Sequence, residues 1–405
     1  MLTKHVIFVS QGEVIFSRII SSANYICIGF SLFSDPATYY DLMDRRQTSE
    51  NESPDSPKNT HPNQRPRLVD VAKASGVATN TASMILNQRP NCWASEVTKK
   101  KVKEAAERLG YRPNRIALAV RRGRYNTLGL IITDLNNPFF SHFAYHLELA
   151  AEKKGCDLII EHSRFNLDRE SRCLDNLLDR QVDGIIACLI NPVAQRKNLE
   201  EKIKYGVPIV VVGPRVAPPL PVDSIGTDFE AGLKQALLHL KELGHSRVGF
   251  IRTLPQNQVD KRQEVFFTVA TQLGFAARDL TIETSDQSLA GAKEAFNRLM
   301  KTSGRSPTSV IGLNDLCAIA CLRGAWESGI RVPKDISIIG VDNILMSDYT
   351  CPSLTTIAPP LSEIGLQSVE MLSDRISGKT KGGPMEKTLP SKLIVRESTG
   401  HAPNI

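Results

Sequence analysis

Apolar runs alternate with amphipathic segments along the chain from residue 127 onward. The apolar runs span residues 128–134, 156–162, 183–189 and 208–213, and a second set follows residue 229 at 247–251, 280–283, 309–314 and 336–342. Continuous Val/Ile-rich strands separated by helices are typical of a parallel sheet that is covered on both faces. Two successive sets predict two similar Rossmann-like lobes. Such sheets bind ligands at the carboxyl ends of their strands, which here face the cleft between the lobes.

Residues 65–112 follow a helical pattern instead. The apolar positions of residues 68–74 form one face of a short helix, which Gly76 can end in the left-handed conformation. A second short helix is predicted over residues 79–86, ending near Asn87. Two short helices separated by a turn that contains glycine are typical of the helix-turn-helix motif.

A third helix is predicted after Ser95, whose hydroxyl can cap it. It carries an apolar stripe with helical spacing, formed by Val102, Ala105, Ala106 and Leu109. Four cations crowd its first turns: Lys99, Lys100, Lys101 and Lys103. Cations near a helix N-terminus oppose the macrodipole, so these lysines indicate contact with phosphate rather than stabilisation of the helix.

Charge separates the helical module from the remainder of the chain. The formal net charge is +7 over 405 residues, and residues 65–126 hold 14 Lys/Arg against 4 Asp/Glu, so the remainder sums to −3. A basic end on a nearly neutral body indicates a module that binds a polyanion, although a solvated basic face is the alternative. With 41% hydrophobic and 23% charged residues, the composition is that of an ordinary globular protein.

The second helix is rich in small residues at its start, so it can enter a major groove. Thr79 and Asn80 would point outward there. An asparagine can bind adenine edges in a bidentate manner, and a threonine offers a hydroxyl and a methyl group. The alternative is that Thr79 caps the helix and Asn80 is only solvated.

The run LVDVAKASGVATNTASMILNQRP, followed by SEVTKKKVKEAAERLGYRPNRIALAVRRG, resembles the DNA-binding headpiece of the lactose/galactose repressor family. The resemblance covers the first helix, the turn, the recognition helix, the third helix and a hinge, and it implies a sequence-specific transcription regulator. In that family the positions of Thr79, Asn80 and Met84 read bases, and Met84 replaces an arginine that many relatives use to contact guanine. The other DNA contacts that the resemblance implies are Thr81, Asn87, Asn114, Arg115, Val120 and Arg121.

The hinge is predicted over residues 113–126. Its helix is about two turns long, and isolated helices of that length are marginal in water. We therefore expect it to order only on DNA or against a partner copy. By the resemblance, Val120 is the apolar wedge that enters the minor groove. The alternative is a basic linker with no fixed structure.

The same resemblance implies a set of effector contacts in the cleft: Phe139, Phe140, Arg262, Asn314 and Asp342. Taken singly, polar residues at strand ends are ordinary helix caps. Together, Arg262 and Asp342 would bind a hydroxylated or amide-bearing molecule, and the two phenylalanines would form an apolar wall. Asp286 stands where relatives often have an aromatic platform. This favours a sugar or polyol as the effector, with a purine or nucleoside as the alternative.

The predicted fold class is an N-terminal all-α helix-turn-helix headpiece followed by an α/β periplasmic-binding-protein-like core of two Rossmann-like lobes. The expected domains are a DNA-binding domain at 65–112, a hinge at 113–126, an effector-binding and dimerisation domain at 127–396 and a tail at 397–405. Lobe 1 is expected over 127–226 and 359–388, and lobe 2 over 227–358 and 389–396. No leucine heptads follow, so we expect a homodimer that reads a roughly palindromic operator on double-stranded DNA.

Residues 1–64 do not fit this scheme. Residues 14–33 are too polar for a membrane span, and the start lacks the features of a secretory signal. Residues 44–66 are rich in Pro, Ser and Asn, which is typical of disorder. We expect a disordered extension or a stretch that is not translated, with the native start at Met43 or nearer Arg65. A membrane-anchored form is the alternative.

Motifs for catalysis and for metal binding are absent from the sequence. There is no GxGxxG after the first strand, no P-loop, no nucleophile elbow and no metal constellation, so we expect neither an enzyme nor a cofactor. The eight cysteines form no CxxC pair and indicate reduced thiols in a cytoplasmic, nucleoid-associated protein. A transporter's binding protein would lack the basic headpiece. A protein that only organises DNA is the remaining alternative to an effector-controlled repressor.

Overall fold

The computed structural model describes residues 4–10, 13–22, 25–31, 66–87, 89, 91–113, 123–253, 261–286, 288–301 and 306–403. The chain divides into two compact units, Met1–Pro113 and Asn114–Ile405. The first unit contains the basic helical module, and the second contains the two sheets.

Three antiparallel strands precede the helical module: β1 (Lys4–Ser10), β2 (Glu13–Ser22) and β3 (Tyr25–Ser31). They pair in the order β1-β2-β3, with Lys4 opposite Ile19 and Phe16 opposite Ser31. Residues 4–10, 13–22 and 25–31 thus form strands where a disordered or untranslated stretch was expected. The physical reason is composition, because β-branched and aromatic residues dominate these stretches and favour strands even without a regular alternation. Residues 32–65 lie outside the described residues.

The helical module consists of α1 (Leu68–Ser75), α2 (Thr79–Leu86) and α3 (Glu96–Leu109). Gly76 ends α1 with φ 67°, and the Ser95 hydroxyl accepts a hydrogen bond from the Thr98 N–H at the start of α3, as predicted. The three helices share a small core whose buried residues include Val71, Ala72, Ala82, Ile85, Val102 and Ala105. The apolar positions predicted from helical spacing thus form the contact between the helices.

The sheet of lobe 1 consists of β4 (Thr127–Ile132), β5 (Asp157–His162), β6 (Gly184–Ala187), β7 (Ile209–Val212), β8 (Asp223–Asp228) and β14 (Glu386–Pro390). Its strands are parallel in the order β14-β8-β7-β6-β4-β5. The helices of this lobe are α4 (Pro138–Lys153), α5 (Leu167–Asp179), α6 (Arg196–Lys202) and α11 (Leu361–Ile376). The sequence did not predict β8 or β14, because both are polar for strands of a parallel sheet.

The sheet of lobe 2 consists of β9 (Val248–Thr253), β10 (Leu280–Ser285), β11 (Ser309–Gly312), β12 (Ser337–Val341), β13 (Thr355–Ala358) and β15 (Lys392–Ile394). The order is β10-β9-β11-β12-β13-β15, and β15 pairs with β13 antiparallel. The helices of this lobe are α7 (Phe229–Glu242), α8 (Lys261–Gln272), α9 (Leu289–Met300) and α10 (Asp315–Glu327). Both lobes bury apolar clusters on the two faces of their sheets, so the predicted doubly wound fold class is confirmed.

Three connections join the two lobes within the described residues: from β8 to α7, from β13 to α11, and from β14 to β15. Two of these connections touch, since the Ser391 hydroxyl donates a 2.6 Å hydrogen bond to the Asp228 carbonyl oxygen. Crossings that lie side by side allow the two lobes to move against each other as rigid bodies.

The residues after β15 belong to lobe 2. The Ser398 hydroxyl donates to the Ile338 carbonyl oxygen, and the Ile338 N–H donates to the Ser398 carbonyl oxygen at 2.8 Å. Ser398 is fully buried. Treating residues 397–405 as a tail was therefore wrong for residues 397–403, because this Ser/Thr/Gly-rich stretch is held by hydrogen bonds that leave no apolar periodicity.

Candidate functional site

The recognition helix α2 presents its N-terminal residues to solvent. The N-cap is Ala78, so Thr79 is the first helical residue and does not cap the helix. Thr79 and Asn80 are both exposed. The Asn80 Nδ2 lies 3.9 Å from the Met84 Sδ, one turn along the same face. A carboxamide held next to a thioether can leave that weak partner for a base edge at little cost.

The other predicted contacts of α2 are less accessible. Thr81, Met84 and Asn87 are half-buried. The Asn87 Nδ2 donates a 2.8 Å hydrogen bond to the Ser83 carbonyl oxygen, so its carboxamide closes the end of the helix. Asn114, Arg115, Val120 and Arg121 of the predicted hinge lie outside the described residues.

The lysines at the start of α3 have two kinds of environment. Lys99 forms an ion pair with Glu96 at 2.7 Å, and Lys100 lies 3.9 Å from Glu104. These i,i+3 and i,i+4 pairs explain two of the four lysines as ordinary helix partners, which corrects the prediction that they are hard to explain without phosphate. Lys101 and Lys103 are exposed on the same helix.

A cavity of about 230 Å³ lies between the two lobes. It is formed where the carboxyl ends of β4, β5, β11 and β12 meet the N-termini of α4, α8, α9 and α10, as the rule for open parallel sheets predicts. Its lining contains the predicted residues Phe139, Phe140, Arg262, Asn314 and Asp342. The fold thus brings together five side chains that lie as far apart in sequence as residues 139 and 342.

Lobe 1 contributes the aromatic side of the cavity. The rings of Phe139 and Phe140 meet edge to face with centroids 5.0 Å apart, in the first turn of α4. The Asn137 Oδ1 caps this turn by accepting a 3.0 Å hydrogen bond from the Phe139 N–H. The cap fixes where the chain enters the helix, and therefore where both rings point.

Lobe 2 contributes a cation and a carboxylate. The Arg262 Nη1 donates a 3.0 Å hydrogen bond to the Leu313 carbonyl oxygen, and its guanidinium lies 5.1 Å from the centre of the Phe229 ring. Burial raises the pKa of Asp342 well above its ordinary value, while Arg262 opposes and Asp315 adds to that rise. Asp342 also has φ 109°, a conformation that L residues rarely adopt and that often marks a ligand site.

Asn314 both caps α10 and lines the cavity. Its Oδ1 accepts a 2.8 Å hydrogen bond from the Cys317 N–H at the start of α10. The oxygen is thus used by the helix, and the amide nitrogen is the group that a ligand acceptor can meet.

The comparisons with known proteins agree with both parts of this arrangement. Residues 67–114 match the family of bacterial regulatory proteins called the lacI family, and residues 237–399 match a periplasmic binding protein-like domain. Catabolite control protein A of Priestia megaterium is 30% identical over 334 residues, which cover 82% of this chain and 98% of that protein. The chain belongs to the LacI family.

Solved structures of LacI-family proteins resemble this regulator over most of its length. The lac repressor dimer bound to operator and the anti-inducer ONPF superimposes with a TM-score of 0.72 at 26% identity, covering 83% of this chain and all of that chain. A LacI family transcriptional regulator from Enterococcus faecium with bound ribose gives a TM-score of 0.59 at 30% identity, covering 68% of this chain and 98% of that chain.

Membership of the LacI family confirms the predicted class of function. Proteins of this family are bacterial regulatory proteins, among them the lac repressor, solved as a dimer bound to operator, and a transcriptional regulator solved with bound ribose. This LacI-family protein is therefore a DNA-binding transcription regulator and not an enzyme. Within its described residues, no cluster of three potential metal ligands occurs and no helix is long and apolar enough to cross a membrane.

Asp315, next to Asn314, has a structural role in this LacI-family chain. Its buried carboxylate accepts hydrogen bonds from the Ile344 N–H and from the hydroxyls of Ser347 and Thr356. Burial raises its pKa to about 6 despite these donors. Asp315 thus ties α10 to β13 and to the turn after β12, and it does not line the cavity.

Asp286 does not line the cavity either. Its Oδ1 accepts hydrogen bonds from the Ser288 N–H at 2.9 Å and from the Ser288 hydroxyl at 2.5 Å, just before α9. Ser288 and Leu289 line the cavity at this place. The argument that the Asp286 carboxylate favours a polyol therefore loses its basis, because that carboxylate binds Ser288, whose hydroxyl caps α9.

Sequence reasoning missed several cavity residues, of which the structure shows Thr133, Asn137, Phe165, Ser288, Leu289, Ala292, Leu313, Leu316 and Cys317. Most of them are apolar and carried no chemical signal. Their places in the sequence could have identified them, since each follows a strand of the two sheets or begins a helix that faces the cleft. Phe165 is an example: it follows β5 with φ 51°.

Proposed function

We propose that this regulator is a cytoplasmic, nucleoid-associated repressor that occupies a roughly palindromic operator as a homodimer and is controlled by a sugar or sugar derivative. The observation that carries the proposal is the cavity in which Arg262 and Asp342 of one lobe face Phe139 and Phe140 of the other. A donor fork, an acceptor and an apolar wall together suit a hydroxylated ring with one apolar face.

The effector class rests on this chemistry and on one relative. A guanidinium and a carboxylate can each bind vicinal hydroxyls, while the carboxamide of Asn314 offers a third polar group. The Enterococcus faecium regulator with bound ribose supports a small sugar. A purine or nucleoside is the alternative class of effector. It needs an aromatic ring to stack on, and the edge-to-face pair of Phe139 and Phe140 supplies one.

Assembly as a homodimer is supported by an apolar surface on lobe 2. In and beside the short 3-10 helix Leu345–Asp348, Leu345 is 75% exposed, Met346 45% and Tyr349 80%. Contiguous apolar surface of this kind usually marks an interface. The occupant that we propose is the same surface of a second copy, since a twofold dimer presents two headpieces to the two halves of a palindrome.

DNA reading is assigned to α2 and the hinge. Asn80 and Thr79 are the base-reading side chains, and Met84 lies against the same face. Thr81, Asn87, Asn114, Arg115, Val120 and Arg121 are the further proposed contacts. Val120 is the wedge in the minor groove.

Control then follows from the movement of the lobes. An effector that binds both sides of the cavity favours the closed arrangement, since only closure brings both lobes onto it. Closure in a dimer changes the spacing of the two hinges, which couples the cavity to the operator. An effector that binds the open and the closed arrangement of the lobes equally well would not couple the cavity to the operator.

The test is a thermal-unfolding panel on the full chain with sugars, polyols, purines and nucleosides. A ligand at a hundred times its dissociation constant stabilises the native state by about 2.7 kcal/mol. A sugar that raises the melting temperature, and that also changes operator binding, supports the proposal. A purine that does so in place of sugars would overturn the effector class. A ligand that stabilises the chain but leaves operator binding unchanged would overturn the control.

A further inference from the structure

Two histidines lie one turn apart on α4, His142 and His146. Their Nε2 atoms are 3.2 Å apart, whereas the ring centroids are 4.8 Å apart. The nitrogen edges of the two rings therefore converge. Residues four apart lie on one helix face, so the convergence follows from the spacing. His142 is exposed and His146 is half-buried.

The backbone beneath this pair is rigid. Phe143 and Leu147, next to the two histidines, are almost fully buried in the core of lobe 1. On the other side, α11 approaches so closely that a methyl group added to Gly365 would lie 3.2 Å from the His146 carbonyl carbon. The two imidazoles are thus held near each other before any ligand arrives, which lowers the entropic cost of binding.

The separation of the two nitrogens fits a shared metal ion. Zinc–imidazole bonds are about 2.0–2.1 Å long, so two nitrogens on a tetrahedral ion lie about 3.3 Å apart. At a right angle, as in square-planar copper, they lie about 2.9 Å apart. The observed 3.2 Å falls between these values.

We propose that His142 and His146 chelate a divalent transition-metal ion, with Zn²⁺ and Cu²⁺ as the fitting ions. Imidazole suits both, and water or a donor from another molecule completes the coordination. The chelate spans the part of α4 directly after the turn that carries Phe139 and Phe140. A bound ion therefore stiffens the element that supports the aromatic side of the cavity.

The neutral form of His146 is the form that can bind a metal ion. Burial, and then the neighbouring His142, lower the pKa of His146 below its ordinary value. A lowered pKa therefore favours that form, while the geometry of the two nitrogens carries the proposal. The alternative structure is a direct hydrogen bond between two neutral rings, in which one Nε2 donates and the other accepts.

The experiment is a calorimetric titration of the chelator-treated, desalted full chain with Zn²⁺ and with Cu²⁺ at pH 7.5. The His142→Gln and His146→Gln variants are titrated in parallel. His162→Gln is the matched control, because His162 is a half-buried histidine of the same lobe whose Nε2 accepts a hydrogen bond from Arg164. Circular dichroism checks that all three variants fold.

We expect the wild-type chain to bind the metal ion, and either α4 variant should lower the affinity by about tenfold or more. The loss of a group that only hydrogen-bonds to a metal ligand already costs that much. The control keeps the site. The Cu²⁺ form should show coupling to two nitrogens in its electron paramagnetic resonance spectrum, lost in both α4 variants. Titrations that are the same for the wild type and for both α4 variants would overturn the proposal.

Discussion

The side chains of α2 divide into those that fix the helix and those that it offers to a ligand. Ala82 and Ile85 are buried against the neighbouring helices, while Thr79 and Asn80 are exposed at the helix start. The sequence predicts the outward position of Thr79 and Asn80. It did not predict that Asn87 would use its carboxamide to end the helix, because that hydrogen bond depends on the local backbone.

Replacement of Asn80 by alanine should weaken operator binding by about 1–3 kcal/mol and leave binding to random DNA nearly unchanged. The reason is that a base contact distinguishes sequences, whereas a phosphate contact does not. Fluorescence anisotropy with both duplexes at one salt concentration measures the two affinities. Lys103→Gln is the control, since loss of an exposed cation should weaken both complexes alike. Equal losses on both duplexes for Asn80→Ala would remove it from base reading.

Replacement of Arg262 by alanine should abolish the effector response and leave operator binding intact. Arg262 lines the cavity, and its removal takes away both the donor fork and the charge that faces Asp342. Operator binding is measured with and without the effector. Arg323→Ala is the control, because that arginine lies on Trp326 at the surface of lobe 2. A variant that still responds to effector would exclude Arg262 from the site.

At the scale of elements, the stretch that follows β15 shows how polar contacts extend a lobe. The His245 Nε2 lies 3.0 Å from the Gly400 carbonyl oxygen and 2.9 Å from the Ser337 hydroxyl, and its Nδ1 lies 2.9 Å from the Thr308 hydroxyl. A carbonyl oxygen only accepts hydrogen bonds, so the Nε2 carries the hydrogen of the neutral ring. Both ring nitrogens then have a hydrogen-bond partner. His245 thus joins three segments of lobe 2.

The contribution of His245 to stability should fall as the pH drops below about 6.5, the ordinary pKa of histidine. Burial is the main cause that lowers the pKa of His245, so below 6.5 the unfolded chain binds a proton that the folded chain refuses. The contribution is present above 6.5 and is lost below it. Urea unfolding of wild type and His245→Gln at pH 7.5 and 5.5 measures it.

The comparison with the His245→Gln variant is required because other titrating groups change the stability in the opposite direction as the pH falls. Burial raises the pKa of Glu170 to about 7 and that of Asp315 to about 6, and such carboxyls gain stability as the pH falls through those values. The difference between wild type and variant isolates His245. If that difference is the same at both pH values, the histidine does not titrate in this way.

At the scale of the whole molecule, regulation has two conditions. The two lobes must be able to move against each other, and a second copy must convert that movement into a change in the spacing of the two hinges. The three connections between the lobes, two of which touch, provide the first condition. The exposed apolar surface around Leu345 and Tyr349 is the proposed basis of the second.

Replacement of Tyr349 by glutamate should shift the protein from dimer to monomer and weaken binding to a palindromic operator. A carboxylate on an apolar interface would be buried without a partner. Sedimentation velocity measures the assembly state, and anisotropy measures the affinity. Tyr205→Glu, at a 71% exposed tyrosine of lobe 1, is the control. A variant that remains a dimer would contradict the assignment of this surface.

The sequence by itself determined most of the strands and helices after residue 65, with β8 and β14 as exceptions, because apolar periodicity and the residues that end helices are local properties. It also determined the charge of the headpiece and, through the resemblance, the family. Asn314 lines the cavity, whereas only the tertiary structure decided that its neighbour Asp315 holds α10, β13 and a turn together. It likewise decided that the Asp286 carboxylate binds Ser288, the residue that caps α9. The physical reason is that a polar side chain at a strand end has the same local signature in each role, and its partners come from segments distant in sequence.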